Sequence, residues 1–215
     1  MTVDDLGMDA FPDLLGTFST NYVNNANRTT NLQLASSKID GTVIMPGDTF
    51  SFNSVVGPRT EAKGYKVAAV YSDGTVTEDV GGGICQIVTT LYNAAVSSDM
   101  TITARRNHTF VPSYAEPGMD ATVVYGSQDF KFTNTRDYPV KIVSTVSGGV
   151  ATVSIYGLKT DEEYDISIET EIIKTIAKKT SSGYTGYVVD SYKVYRQNGT
   201  IIKREKISRD TYSAS

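Results

Sequence analysis

Alternating hydrophobic and polar residues dominate the pattern of this chain, and they predict a protein built mainly from short β-strands. Phe50 and Phe52, for example, alternate with polar neighbours and fall on one face of a strand. Segments rich in Val, Ile, Thr and Tyr recur between turn residues, which is typical of strands joined by tight connections. The predicted strands are two within 42–52, and then 65–70, 75–80, 101–105, 109–111, 121–125, 130–134, 139–145 and 151–156. Strands 65–70 and 75–80 form a predicted hairpin through the turn Ser72-Asp73-Gly74.

Helical periodicity is found in two places. In 30–39, the residues at intervals of three and four (Leu32, Ala35 and Ile39) predict a helix that ends at Asp40-Gly41. The second helix follows a run of glycines at 81–83 and extends over about three turns to 97–99. Together these patterns predict an α+β fold with more strand than helix.

Three parts of the chain differ in composition. Residues 1–18 contain turn residues without periodicity and are predicted to be a loose lead-in, whereas 19–157 carry the α+β pattern. After Leu158 a charged linker leads into 158–215, which is predicted to be a small all-β module with an Asn198-Gly199 hairpin turn. This module lacks a closing element, so we expect that the chain is truncated at this end.

Composition narrows the class of protein. Tyr (14 residues) outnumbers Phe (7) and Trp is absent, which favours strands. A net charge of −4 argues against general nucleic-acid binding. The sequence contains neither a membrane-length apolar run nor a signal peptide, so the chain is either cytoplasmic or a piece of a longer exported protein.

Cys85, the only cysteine, follows the three glycines at the predicted start of the second helix. Unpaired amide groups and the helix dipole favour the thiolate there, and thiol pKa values fall to about 3.5–7.5 in such settings. A nucleophile is therefore one interpretation of Cys85, and a small buried hydrophobic residue is the other.

A thiol nucleophile needs a base, and His108 is the only histidine of the chain. The alternative for His108 is an exposed loop residue. Asp120 and Asn107 are candidates to orient its ring, although both residue types also occur in turns for structural reasons.

Other polar residues complete the predicted site. Arg105 or Arg106 can bind a substrate carboxylate, but only one of them can face the site if they lie in a strand. Gln86 and the amides of Gly83 and Cys85 are candidate oxyanion donors. We expect no metal or other cofactor, because one Cys and one His do not form a zinc site and no Walker lysine follows the glycines.

Several separated motifs follow one another along the chain. They are Phe50-Ser51-Phe52-Asn53, Val56-Gly57-Pro58-Arg59, Gly64-Tyr65, 81–86 followed by 89–94, Arg105-Arg106-Asn107-His108 and Asp120-Ala121-Thr122-Val123. Together they resemble the VanW family over about 28–157. The resemblance implies a role in the cell envelope, and some VanW domains are understood to act as L,D-transpeptidases with a cysteine nucleophile. The tail is similar, through Gly183, Gly186 and Gly199, to five-glycine extracellular modules.

The resemblance implies that Cys85 attacks a peptidoglycan stem peptide, with His108 as acid and base. Gly83, Gln86, Arg105, Arg106, Tyr114 and Asp120 are then the expected oxyanion or substrate-binding residues. Alternatives are an L,D-carboxypeptidase with the same site, or a non-catalytic module that binds or assembles the wall. The expected location is extracellular, at the wall of a Gram-positive bacterium, with a membrane anchor outside this sequence.

Overall fold

The computed structural model describes residues 10–72, 75–160 and 163–215. This part of the chain forms strands and three α-helices, together with a 3₁₀ turn at Glu61–Lys63. The helices are α1 (Ala26–Ile39), α2 (Phe52–Val56) and α3 (Ile84–Ser97). The strands are β1 (Asp13–Asn21), β2 (Val43–Ile44), β3 (Thr49–Ser51), β4 (Val67–Ser72), β5 (Thr75–Val80), β6 (Thr101–Ala104), β7 (Lys131–Thr133), β8 (Val140–Ser147), β9 (Val150–Gly157), β10 (Asp165–Ile176), β11 (Gly186–Gln197) and β12 (Thr200–Tyr212). The predicted strand-rich α+β class is confirmed.

A four-stranded antiparallel sheet in the order β1-β9-β8-β2 carries the main core. Helix α3 packs against β1 and β9, and α1 packs against β8. Every residue of α3 from Ile84 to Val96 is buried except Cys85. Because the protein covers almost every side of this helix, α3 is the central element of the fold.

The strands β3, β7 and β6 form a second small sheet whose inner face is aromatic. The rings of Phe50 and Phe132 are stacked with centroids 5.1 Å apart, and Phe130 lies 5.9 Å from Phe132. The prediction that Phe50 and Phe52 share one face of a strand was wrong for Phe52, which begins α2, although both side chains are buried.

The hairpin predicted at 65–80 is present as β4 paired with β5. Asp73 and Gly74 of its predicted turn lie outside the described residues. Strand β5 ends at Val80 and leads directly into the glycines that precede α3. The hairpin therefore lies beside the amino-terminal end of α3.

The C-terminal strands β10, β11 and β12 form a separate antiparallel sheet, as expected for a small all-β module. This sheet packs against the rest of the protein. The side chain of Tyr212 in β12 is fully buried, and the Ser191 hydroxyl of β11 donates to the Gly118 carbonyl over 3.0 Å. Linker residues 161–162 lie outside the described residues.

Local predictions needed correction at several points. Asp13–Asn21 is a strand and not a loose lead-in, because β9, far along the chain, pairs with it. Residues 1–9 of the predicted lead-in lie outside the described residues. Helix α1 begins at Ala26, capped by the Asn25 side chain, which accepts from the Arg28 amide over 2.9 Å. Segments 109–111 and 121–125 are not strands, apart from one bridge between Val124 and Gln128.

No helix in the described part of the chain has the length and apolar character needed to span a membrane.

Candidate active site

Three glycines place the start of α3 against the β4–β5 hairpin. Gly81 and Gly83 have φ values of +84° and +106°, which only glycine adopts without strain. Gly82 has no room for a side chain, because a Cβ there would lie 2.3 Å from the Ala68 carbonyl oxygen. Gly83 is the N-cap residue, and no side chain caps the helix start. The first turn of α3 therefore presents amide groups and the positive end of the helix dipole.

Cys85 is the second residue of α3 and is half-buried. Its sulfur lies 3.3 Å from the Thr122 hydroxyl oxygen and 3.7 Å from the Val123 carbonyl oxygen. Burial alone raises the pKa of the thiol. A hydrogen bond and the charge of His108, together with the bond to Thr122, outweigh that effect and lower the pKa to about 7. Cys85 thus has the environment of a reactive thiol.

His108 is a buried residue of the loop that follows β6, and it links Cys85 to Asp120. Its Nδ1 is 2.6 Å from Asp120 Oδ2, and the His108 amide donates to the same oxygen over 2.7 Å. His108 also forms a hydrogen bond with the Cys85 thiol. Because Asp120 occupies Nδ1, we assign this bond to the other ring nitrogen, Nε2. The Tyr114 hydroxyl lies 3.4 Å from Nε2 as well.

The imidazole is held in its charged form. Burial lowers the pKa of His108, but the hydrogen bond to Asp120 and the interaction with Cys85 outweigh it and raise the pKa to about 9. A thiolate and an imidazolium therefore coexist between about pH 7 and pH 9. Such a pair is the activated form of a cysteine nucleophile with its acid-base partner.

Asp120 is fully buried and has several donors besides His108. Its Oδ1 accepts from the Tyr212 hydroxyl, and Nη2 of Arg105 lies 3.5 Å away. Burial raises the pKa of Asp120, whereas His108, Arg105 and Tyr212 lower it below its usual value. The structure thus brings Asp120 to the imidazole, while Asn107, the other sequence candidate, donates to the carbonyls of His108 and Thr211.

Arg105 does not face the site, contrary to the prediction that it binds a substrate carboxylate. Its Nη1 donates to both carboxylate oxygens of Asp210 over 2.6 Å, and its Nε donates to the Asp120 carbonyl over 2.7 Å. The guanidinium also lies against the Tyr92 ring, 5.1 Å from the centroid. Its donors are committed to the protein, so Arg105 is a structural residue that supports the Asp120 loop.

Two other predicted residues also point elsewhere. Gln86 is fully buried, accepts from Arg28 over 2.7 Å and donates to the Thr20 hydroxyl over 3.0 Å and the Asn21 carbonyl over 2.9 Å. Its side chain therefore cannot hold an oxyanion. Arg106 is exposed and is not among the residues that line the cavity at Cys85.

A cavity of about 500 Å³ opens at Cys85. Gly83, His108 and Tyr114 line it, as the sequence predicted for residues of one site. Two arginines that the sequence interpretation did not select, Arg28 and Arg59, line it as well. Arg59 belongs to the Val56-Gly57-Pro58-Arg59 motif, so a signal for it was present in the sequence. The lining also contains the carboxylate of Asp79, but the two arginines give it a positive charge on balance, which suits an anionic substrate.

The described residues contain no cluster of three His, Cys, Asp or Glu side chains that could hold a metal ion. A thiol beside a histidine that is hydrogen-bonded to a buried carboxylate is an arrangement that enzymes with a cysteine nucleophile use for acyl transfer.

Comparisons with known proteins agree on the region that contains this site. A family model described as "VanW like protein" matches residues 27–156. The chain is 43% identical to the uncharacterized protein YoaR of Bacillus subtilis (strain 168) over 144 residues, which cover 66% of this chain and 47% of that protein. It is 33% identical to the vancomycin B-type resistance protein VanW of Enterococcus faecalis (strain ATCC 700802 / V583) over 126 residues, which cover 56% of this chain and 46% of that protein.

The chain thus spans about half the length of these curated relatives. No solved structure matches it at a significant level.

Proposed function

The chain belongs to the family of VanW-like proteins, and on that premise we propose that it is a cysteine acyltransferase of the bacterial cell wall. The proposed reaction is L,D-transpeptidation, which joins the third-position residues of two peptidoglycan stem peptides. The observation that carries this proposal is the hydrogen-bonded series Cys85–His108–Asp120 at the edge of a cationic cavity.

In the first step, the Cys85 thiolate attacks the carbonyl carbon of the third residue of a tetrapeptide stem. A carbon–sulfur bond forms, and the peptide bond to the terminal D-alanine breaks. The His108 imidazolium gives its proton to the leaving amine, so the products are a thioester and free D-alanine. Asp120 keeps the imidazole in the tautomer and orientation that this transfer needs.

In the second step, the side-chain amine of a second stem attacks the thioester. His108 takes the proton of that amine, a carbon–nitrogen bond forms, and the carbon–sulfur bond breaks to release the Cys85 thiolate. Water in place of the amine gives hydrolysis, in which case the same site is an L,D-carboxypeptidase.

The oxyanion formed in both steps needs hydrogen-bond donors. The start of α3 supports this role, because no side chain caps it and because Gly83 and Cys85 line the cavity. One donor of this kind typically contributes about 3 kcal/mol to the stabilisation of a transition state. Of the donors expected from the sequence, this proposal keeps the amides of Gly83 and Cys85 and leaves out the Gln86 side chain.

A wall substrate is supported by the family and by charge. One relative is named as a vancomycin B-type resistance protein, and the cavity lining contains Arg28, Arg59 and the charged His108. Stem peptides end in carboxylates and suit this lining. The site then acts outside the cell, where its substrate is found.

The test is incubation of the purified protein with disaccharide-tetrapeptide, followed by mass spectrometry of the products. We expect a crosslinked dimer that has lost one D-alanine, together with some disaccharide-tripeptide from hydrolysis. Cys85→Ser should abolish both products, and Asp120→Asn should lower the rate by about 10²-fold or more, because acid-base catalysis depends on the imidazole orientation.

Three results would each contradict one part of this proposal. Tripeptide without dimer at high acceptor concentration identifies a carboxypeptidase. Equal products from wild type and Cys85→Ser exclude the cysteine as nucleophile. Tight binding of the tetrapeptide with no product from any variant supports the wall-binding alternative.

A further inference from the structure

Arg59 is held beside the Cys85 site by only one edge of its guanidinium. Its Nη1 donates to the Asn53 side-chain oxygen over 2.7 Å. The guanidinium carbon lies 5.4 Å from the centroid of the Phe52 ring and 5.8 Å from that of Tyr125, at cation–π distances. The side chain passes over the glycine turn, where a Cβ on Gly81 would lie 3.0 Å from the Arg59 Cβ. The protein therefore fixes the plane and the position of this group.

The other edge of the guanidinium, formed by Nε and Nη2, is buried and has no hydrogen-bond partner among the described residues. The buried hydroxyl of Tyr65, which interacts electrostatically with Arg59, also has no partner there. Buried donors without acceptors are rare and costly, most of all on a charged group.

Asp129, a carboxylate whose charge acts on Arg59, does not accept from these donors. Asp129 accepts from the Ser51 hydroxyl over 2.6 Å and from the amides of Asn53 and Phe130 over 2.9 and 2.8 Å. Its oxygens therefore support the start of α2. The Nε and Nη2 edge of Arg59 has no acceptor among the described residues.

We propose that Arg59, with Tyr65 beside it, is a subsite that binds the carboxylate of a substrate next to Cys85. The Nε and Nη2 hydrogens of arginine form a planar pair that matches the two oxygens of a carboxylate. Arg59 lines the same cavity as Cys85 and His108, and its charge acts on the Cys85 thiol. The subsite therefore lies within reach of a molecule that the thiolate attacks.

The identity of that carboxylate rests on the proposed function. In the proposed acyl donor, the tetrapeptide stem, only one residue follows the carbonyl that Cys85 attacks. The terminal carboxylate therefore belongs to the D-alanine that leaves. Arg59 then selects peptides with a free carboxyl end and excludes internal peptide bonds. This role replaces the one that the sequence gave Arg105 or Arg106.

The test is a protection experiment that needs no turnover. N-acetyl-D-alanine carries a carbonyl followed by one residue with a free carboxylate, and N-acetyl-D-alaninamide is its neutral match. Each compound is titrated against alkylation of Cys85 by iodoacetamide, at constant ionic strength and pH. In the wild type we expect the acid to protect at a concentration about tenfold lower than the amide, because a bidentate charged pair is lost with the amide.

The variants separate the subsite from general electrostatics. Arg59→Gln should bring the acid-to-amide ratio close to one, and Arg59→Lys, which keeps the charge and much of the packing, should retain part of the preference. Lys66→Gln removes an exposed positive charge from the same region and should leave the ratio unchanged. Tyr65→Phe should reduce the ratio by a smaller factor than Arg59→Gln.

Equal protection by acid and amide in the wild type, or a preference that persists in a folded Arg59→Gln variant, overturns the subsite. That result would leave the proposed transpeptidase reaction untouched, because the product assay tests that reaction independently. Conversely, a carboxylate preference in a protein that makes no product supports the subsite and removes only its assignment to a leaving residue.

Discussion

At the scale of single residues, the reactivity of Cys85 depends on what surrounds it. Burial alone makes a thiol harder to ionise, and here it acts in that direction. The hydrogen bond and charge of His108 reverse the effect, and Asp120 in turn keeps His108 charged. Each of the three groups therefore sets the protonation state of the next, and the removal of one changes the others.

Thiol alkylation against pH provides a direct prediction, since Cys85 is the only cysteine. The thiolate reacts, so the rate should rise with a midpoint near pH 7, below the ordinary thiol pKa of 9.0. In His108→Gln burial still raises the pKa of the thiol while the hydrogen bond and charge of His108 are gone, so the midpoint should move to clearly higher pH. Stopped-flow measurement with iodoacetamide from pH 5 to pH 10 checks both values. A variant midpoint that stays near 7 would mean that the helix start, and not His108, activates the thiol.

The sequence predicted the site best for those roles that only one residue of the chain could fill. One cysteine and one histidine leave a single choice for a Cys–His pair, and the structure joins them. The choice between Asp120 and Asn107 needed coordinates, because both residue types are common in turns. The role of Arg105 was wrong for a related reason. Its carboxylate partner, Asp210, is 105 positions away, and no local pattern reports such a contact.

At the scale of elements, the glycine turn determines where the helix α3 begins. The glycine run and the apolar residues after it predicted this junction correctly, because backbone freedom and helical period are local properties. The reason for Gly82 was not visible in the sequence. Its backbone passes so close to β4 that a Cβ would lie 2.3 Å from the Ala68 carbonyl oxygen and 2.7 Å from that of Ala69.

Gly82→Ala should therefore separate the hairpin from α3. Overpacking against a rigid backbone typically costs about 1–3 kcal/mol, and we expect the upper end of this range for the free energy of unfolding. The displaced helix start should also raise the alkylation midpoint of Cys85.

Gly41→Ala is the matched control, since Gly41 has φ +75° but nothing within 4 Å of its Cβ position. It should cost about 1–2 kcal/mol from backbone strain and leave the midpoint unchanged. Urea denaturation and alkylation measure the two effects, and a normal midpoint in Gly82→Ala would contradict the coupling.

At the scale of the whole molecule, the C-terminal sheet belongs to the structure around the site. The family model ends at residue 156, and the sequence suggested a separate module after 157. Yet Tyr212 donates to Asp120 and accepts from the Gly118 amide over 2.7 Å, while Asp210 holds Arg105. The strands β10–β12 could be predicted from their alternation. Their packing could not, because the contacts join one strand end to a loop about a hundred residues earlier.

Asp210→Asn tests whether the two parts of the chain work as one unit. Arg105 and Asp210 are both buried, so the variant removes the closer counter-charge of a buried guanidinium and leaves only Asp120, 3.5 Å away. Breaking such a pair from one side typically costs about 3–5 kcal/mol of unfolding free energy. Because Arg105 also holds the Asp120 carbonyl, the loop that carries Asp120 should loosen and the alkylation rate of Cys85 at pH 7 should fall.

Glu205→Gln is the control on the same strand, since Glu205 forms an exposed ion pair with Lys203 over 2.9 Å. Exposed pairs contribute about 0–1 kcal/mol, so stability should change little and the thiol should not respond. If Asp210→Asn lowers stability but leaves the thiol rate at the wild-type value, the C-terminal sheet stabilises the fold without positioning Asp120. If the variant unfolds in one cooperative transition and lowers both the free energy of unfolding and the alkylation rate of Cys85, the site extends from the glycine turn to the last strand of the chain.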